Sequence, residues 1–250
     1  MTLPTFVFVD LDDTLFQTLH KCAEGDHLEP VGFLKDGSPL SYSNARQRTF
    51  LEAMRAMGTV IPTTARDLGA LGRVRLEFDH VRIAAHGAVV LDPGGALDRE
   101  WADRVQAWAE GSREVLETLL ERIQARIHAE HLDLKARLVG EHHQIHYFLA
   151  KSRSGDLSDL DSLERSLAKE IHGTDLRIHR NGNNLALLPG WLGKEFAVEW
   201  VRSRYLPPEA LLLGVGDSLT DLPFMRSCDY LVVPARSQIV RERLTRPSDA

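Results

Sequence analysis

Short apolar runs that each end on a polar residue, with helix-like segments between them, predict an α/β chain built on a parallel sheet. A middle stretch of different pattern, with alternating strands and long amphipathic helices, predicts an α+β domain inserted into that core. The length of 250 residues, with 43% hydrophobic side chains, is enough to bury both.

The runs are Thr5 to Val9, stopping at Asp10; Thr59 to Thr63, stopping at Thr64; and Val81 to Ala85, stopping at His86. Ala210 to Val215 stops at Gly216-Asp217, and Tyr230 to Val233 stops at Pro234. Uninterrupted apolar runs of this length suit strands covered by helices on both faces, and ligands of such sheets bind at the carboxyl ends of the strands. Between the runs, Ser43 is placed to cap a helix with Phe50, Met54 and Met57 on one face, closing at Gly58. A second helix over 193–205 is expected to turn Phe196, Trp200 and Val201 inward.

In the middle, Trp101, Val105 and Trp108 recur at helical spacing. Leu116, Leu120, Ile123 and Ile127 continue the pattern after an expected break at Gly111-Ser112. Two alternating segments follow, Leu132 to Val139 and His143 to Ala150. Then come a helix carrying Leu160, Leu163, Leu167 and Ile171, and a hairpin pattern from Asp175 to Leu188 around Asn181-Gly182. The insert is therefore assigned to 90–188, and the core to 1–89 and 189–250.

Thirty Lys and Arg against thirty-six Asp and Glu give a net charge of −6, with no basic run, which argues against nucleic-acid or membrane-surface partners. No stretch approaches the roughly 18 apolar residues of a membrane span. Phe6 to Val9 is short and runs straight into acids, unlike a signal peptide. Cys22 and Cys228 are far apart and lack metal-ligand spacing, so two reduced thiols and a cytoplasmic location are expected.

Chemistry concentrates in Asp10-Leu11-Asp12-Asp13-Thr14-Leu15, directly after the first run. A carboxylate at a strand end can attack phosphorus and form an acyl phosphate. A second one, two residues on, can protonate the leaving oxygen and later deprotonate water, help worth roughly 10²–10⁴ in rate. A solvated acidic turn is the plain alternative. With Thr64-Ala65-Arg66, Lys194 and Gly216-Asp217-Ser218-Leu219-Thr220-Asp221 following in order, the chain resembles the haloacid dehalogenase superfamily. That resemblance covers about 1–90 and 189–235.

The resemblance implies a Rossmann-like parallel-sheet core and assigns roles to these residues. Asp10 is the nucleophile and Asp12 the general acid/base. Thr64 binds a phosphoryl oxygen, with Thr63 the competing choice, and Lys194 neutralises charge. Asp10, Asp217 and the backbone carbonyl of Asp12 hold the metal, while Asp221 binds it through water or orients its neighbours. Thr220 is expected to cap the next helix, whose first turn tolerates Pro223. So many carboxylates around a phosphate require a cation if Asp10 is to stay ionised, and an all-oxygen site suits Mg²⁺.

Asp12 is shared by phosphatases and phosphomutases of the superfamily, and the insert occupies the position of its type-2 cap. The α-β-β-α-β-β order is similar to the caps of the sucrose-phosphate and trehalose-phosphate phosphatases and of eukaryotic phosphomannomutase. The resemblance therefore implies a small phosphorylated, sugar-like substrate. A mutase and a catalytically silent binding protein remain the alternatives. The segment Leu19 to Ser41, with a hairpin-like Lys35-Asp36-Gly37-Ser38, is either a flap over the site or a tolerated surface insertion. In the cap, alternation puts Ile145, Tyr147 and Leu149 under the helices. Lys135, Arg137, Gln144, His146, Arg177 and His179 are left on the open face, either as a solvated surface or as substrate-binding groups.

Overall fold

The computed structural model describes residues 2–244, so residues 1 and 245–250 of the expected core lie outside the described residues. In chain order the strands and helices are β1 (Thr5–Val9), β2 (Gln17–Thr18), β3 (Glu29–Phe33), β4 (Pro39–Ser43), α1 (Ala45–Met57), β5 (Thr59–Pro62), α2 (Leu68–Leu71), β6 (Arg82–Ala84), β7 (Val89–Leu91) and α3 (Arg99–Ala129). They continue with β8 (Leu134–Val139), β9 (Tyr147–Ser152), α4 (Ser158–Glu170), β10 (Leu176–Asn181), β11 (Asn184–Pro189), α5 (Lys194–Tyr205), β12 (Leu211–Val215), α6 (Leu222–Met225) and β13 (Tyr230–Val232). Contacts divide them into two units, one running through Trp101 and resuming at Lys194, the other spanning Ala102–Gly193. The sequence boundaries at 89/90 and 188/189 fall somewhat earlier.

The first unit is built on a parallel sheet in the order β13-β12-β1-β5. Its central strand β1 carries Val7, Phe8 and Val9, all fully buried, as a continuous apolar run demands. Val9 is in register with both Val215 and Pro62, so three strands end at one level. The ladder runs one step further, with Asp10 N–H donating to the Val215 carbonyl and Thr63 N–H to that of Val9. The chain leaves β1 toward β5 on one side and returns as β12 on the other. This is the arrangement that opens a crevice at the carboxyl ends.

Four local expectations for this unit are corrected. The run Val81 to Ala85 does not add a strand to the parallel sheet. β6 folds back antiparallel on β7 and meets the end of β5 through a parallel Thr63–Ile83 bridge, with Thr64 N–H donating to the Ile83 carbonyl. Ala85, His86 and Gly87 all take positive φ (50°, 57° and 98°), which reverses the chain at that point. Asn44, not Ser43, caps α1, in a reciprocal capping box with Gln47, because Ser43 is still paired in β4. Leu51 and Met54 form the buried face of α1, and Met57 is exposed. In α5 the buried face is Ala197, Val198 and Val201, while Phe196 points outward.

The segment after the first acidic motif is a three-stranded antiparallel sheet in the order β2-β4-β3. Its tight turn is closed by Asp36, which accepts from the backbone N–H and the hydroxyl of Ser38, with Gly37 at φ 85°.

The second unit has the order α3-β8-β9-α4-β10-β11, with an all-antiparallel sheet β10-β11-β9-β8. α3 runs unbroken through Gly111, against the expected break. A helix of 31 residues absorbs the roughly 1 kcal/mol that one interior glycine costs. Leu116, Leu119 and Ile123 of α3, with Leu160, Leu163 and Leu167 of α4, pack on Leu134, Phe148, Ala150, Leu185 and Leu187 of the sheet.

That cluster overturns the expected sorting of the second strand. β9 starts at Tyr147, and Phe148 and Ala150 lie under the helices, whereas Tyr147 and Leu149 lie on the other face. The residues before it form a turn in which His142 and His143 have φ of 51° and 67°. A one-residue offset flips every side chain of a strand, and Tyr147 to Ala150 are all buried, so alternation carried no signal there. Among the described residues, no helix is long and apolar enough to cross a membrane.

Candidate active site

Three strand ends and one helix start supply the site, all within the first unit. β1 delivers Asp10, β12 delivers Gly216 and Asp217, β5 leads to Thr63 and Thr64, and α5 begins at Lys194. The Lys194 ammonium donates to Asp10 Oδ1 at 2.6 Å and to Asp221 Oδ1 at 2.7 Å, and all three side chains are buried. The Phe224 ring lies 5.6 Å from the same ammonium. Thr14 Oγ1 reaches the second oxygen of Asp10 at 3.5 Å.

Asp221 is held from its other side, where Oδ2 accepts from the Ser218 hydroxyl and from the backbone N–H groups of Ser218 and Asp217. A side chain at Gly216 would meet Asp221, with an added Cβ only 2.6 Å from that of the acid. The loop therefore needs glycine there. Thr220 does not cap α6 as expected. Its hydroxyl pairs with that of Ser218, and Asp221 occupies the cap position without making a cap bond.

These acids strain one another electrostatically. Burial drives the pKa of Asp10 well above the usual carboxylate range. Lys194 opposes that shift, and Asp221, Asp12 and Asp217 add to it. Burial, then Asp221 and Asp13, push Asp217 up to about 7, against the pull of Lys194 and Lys21. Burial alone would lower the pKa of Lys194, but Asp10 and Asp221 more than reverse this and hold it charged. Asp10, Asp217 and Asp221 each offer a carboxylate oxygen, and the three oxygens lie within 4.8 Å of one another. A hard divalent cation taking only oxygen ligands fits such a set, and it would relieve the repulsion that raises these pKa values.

Asp12 is placed differently. Its carboxylate turns to Arg66, which donates from Nε to Oδ2 and from Nη2 to Oδ1, both at 2.7 Å. Thr64 is fully buried and its hydroxyl accepts the Arg66 backbone N–H, whereas the Thr63 hydroxyl is directed at the Ile61 carbonyl. Asp13, at φ 62°, pairs with Lys21 at 2.5 Å. Lys21 is presented from a 3-10 turn after β2, where Gln17 donates to the Lys21 carbonyl and accepts from Gln47. Neither cation was singled out from the sequence. Arg66 stood in plain view in the Thr-Ala-Arg triplet, but Lys21 became recognisable only once the segment folded back on Asp13.

The six residues expected on the open face of the inserted sheet belong to the second unit. Strand pairing places Lys135 and Arg137 of β8 on the same face as Arg177 and His179 of β10. Gln144 and His146 lie outside the strands, in the irregular stretch between the His142-His143 turn and β9. His146 is 2% exposed, has no hydrogen-bond partner at either ring nitrogen among the described residues, and meets Trp191 edge-on. Burial, with His142 adding to it, lowers its pKa to about 4.

No family model matches the chain, and no curated protein does. Solved structures do. The C-terminal domain of trehalose-6-phosphate phosphatase from C. albicans is similar over 90% of this chain and 74% of that one, at TM-score 0.56 and 15% identity. The sucrose-phosphatase of Synechocystis, solved in complex with sucrose and phosphate, is similar over 92% and 83%, at 0.52 and 16%. A trehalose-6-phosphate phosphatase related protein is similar over 92% and 86%, at 0.52 and 16%. Likeness at such identities establishes a shared fold.

Proposed function

We propose that this chain, which has the fold of the haloacid dehalogenase-type phosphatases, hydrolyses the phosphate ester of a small, sugar-like metabolite with Mg²⁺. The observation that carries the reading is the buried ammonium of Lys194 shared between Asp10 and Asp221, with Asp217 beside them at the strand ends. A structural ion pair needs no second and third acid, and gathering them about one buried ammonium costs several kcal/mol unless a ligand uses them.

Asp10 attacks phosphorus as the bond to the leaving oxygen breaks, giving an aspartyl phosphate. Asp12, protonated for this step, gives its proton to the departing alkoxide and becomes a carboxylate. That carboxylate then takes a proton from water as the water oxygen bonds to phosphorus, releasing inorganic phosphate and regenerating Asp10. Lys194 keeps Asp10 ionised and offsets charge on the phosphoryl oxygens, and Thr64 is suited to hold one of them. Asp10 and Asp217, with the Asp12 backbone carbonyl, would hold the Mg²⁺, and Asp221 would orient Lys194 and the loop. The ion supplies Lewis-acid neutralisation of the phosphoryl group. Lys135, Arg137, Arg177 and His179 give one cap-sheet face a cationic character suited to an anionic, hydroxyl-rich substrate. The neighbours named for sucrose and for trehalose-6-phosphate support that class.

The test is release of inorganic phosphate from a panel of phosphorylated sugars and related metabolites. Mg²⁺ should support turnover, chelation should stop it, and Ca²⁺ should serve poorly because its looser coordination misplaces the attacking oxygen. Asp10→Asn should abolish turnover, and Asp217→Ala should raise the Mg²⁺ requirement or eliminate activity. Normal steady-state turnover by Asp10→Asn, or full activity after exhaustive chelation, sinks the mechanism.

A further inference from the structure

Both carboxylate oxygens of Asp12 are taken by one side chain. Arg66 grips them with two parallel hydrogen bonds of 2.7 Å, the fork geometry that only a guanidinium offers. The grip is itself braced. Phe16, fully buried, lies under the guanidinium at 5.0 Å from its ring centre, and the third nitrogen, Nη1, donates to the Ala70 carbonyl. The Arg66 main chain is tied at both ends, donating to Thr64 Oγ1 and accepting from Ala85 N–H. The Phe16 backbone also bridges to Asp12. The Arg66 side chain is 13% exposed while that of Asp12 is 40% exposed, so the clamp is largely shielded and the clamped carboxylate still meets solvent.

Position matters here because of what stands two residues away. Asp10, Asp217 and Asp221 already crowd one site, and a fourth free carboxylate would be drawn onto any cation bound there. We propose that Arg66 is the positioning residue of the proton-transfer step. It holds the Asp12 carboxylate off the metal-binding acids and at the open side of the site, where a leaving oxygen arrives. The inference rests on the phosphatase reading and assigns to Arg66 no contact with the phosphoryl group.

The test uses two esters of nearly equal shape, p-nitrophenyl phosphate and phenyl phosphate. Nitrophenolate departs without a proton, whereas the far more basic phenoxide needs one. We would measure kcat/KM with Mg²⁺ for the wild type, Asp12→Asn, Arg66→Gln, Arg66→Lys and the Asp12→Asn/Arg66→Gln double variant, with thermal midpoints alongside. A general acid contributes about 10²–10⁴, and misplacing it should forfeit part of that. Arg66→Gln is therefore expected to lose about tenfold more on phenyl phosphate than on p-nitrophenyl phosphate. Asp12→Asn should skew in the same direction and more strongly, and the double variant should be no worse than Asp12→Asn alone. Arg66→Lys, which keeps the charge over Phe16 but not the fork, should show the same skew in weaker form, and it carries the comparison if Arg66→Gln does not fold. Equal losses on both esters, or losses that multiply in the double variant, overturn the role of Arg66 while leaving the phosphatase reading intact. A wild type that releases phosphate from neither ester and from none of the phosphorylated sugars overturns both.

Discussion

The acidic site in the first unit and the apolar layer in the second are both buried, yet they are held by opposite physics. Around Lys194 the buried groups are charged, and each is tolerable only because another is near. Between α3, α4 and the antiparallel sheet of the second unit the buried groups are leucines, isoleucine, phenylalanine and alanine, which need only to be out of water. A charged cluster is useful because it is unsatisfied in part and answers to protons and cations. An apolar layer is stable because it answers to neither.

Breaking the charged cluster should give the largest effect. Lys194→Met leaves Asp10 and Asp221 buried without their ammonium, and removal of one partner from such a set costs about 3–5 kcal/mol. Turnover should disappear, and the stability lost in urea unfolding should be partly recovered with Mg²⁺. Unchanged unfolding in chelator would mean that the ammonium is not what holds these acids.

Next comes a cavity in the second unit. Leu160 is fully buried between α4 and the sheet, and Leu160→Ala should cost about 2–5 kcal/mol. Unlike the Lys194 loss, this one should not change with Mg²⁺, salt or pH. If Mg²⁺ restored it, the two regions would not be energetically distinct.

The smallest expected effects are pH slopes of opposite sign. Asp217 stands at about 7 in the fold against an ordinary 3.8. Over that window the folded protein keeps a proton that the unfolded chain has released, so metal-free stability should fall as pH rises. His146 stands at about 4 against an ordinary 6.5, so over that window the unfolded chain binds a proton that the folded one does not. Its contribution should fall as pH drops. In chelator, Asp217→Asn should flatten the first slope and His146→Phe the second. A single slope untouched by either change would contradict the assignment.

Much of the core was legible in local pattern. Apolar runs that stop on Asp10 and Gly216 become β1 and β12, because five-residue runs with no exposed position fit a strand covered on both faces. The turn around Gly182 was equally plain, since glycine there meets a positive φ. Helix α4 also followed its leucine spacing. Failures cluster where the local signal was degenerate. β9 reads Tyr-Phe-Leu-Ala with no polar residue to mark its open face, and a one-residue offset turned Tyr147 and Leu149 over. Ser43 and Asn44 are both good caps, and the pairing of β4 decided between them.

What the sequence determined by itself was the inventory of the centre: the apolar strands β1, β5 and β12, the acids that stand at the ends of β1 and β12, and a following α+β segment of different pattern. Tertiary structure alone decided the partners. Arg66 reaches Asp12 across 54 residues and Lys194 reaches Asp10 across 184, distances over which no pattern in the chain specifies who meets whom. The reason is physical. A strand or helix is selected by hydrogen bonds and burial repeating every few residues. An ion pair is selected by where the whole fold brings two charges together, and by how little water is left between them.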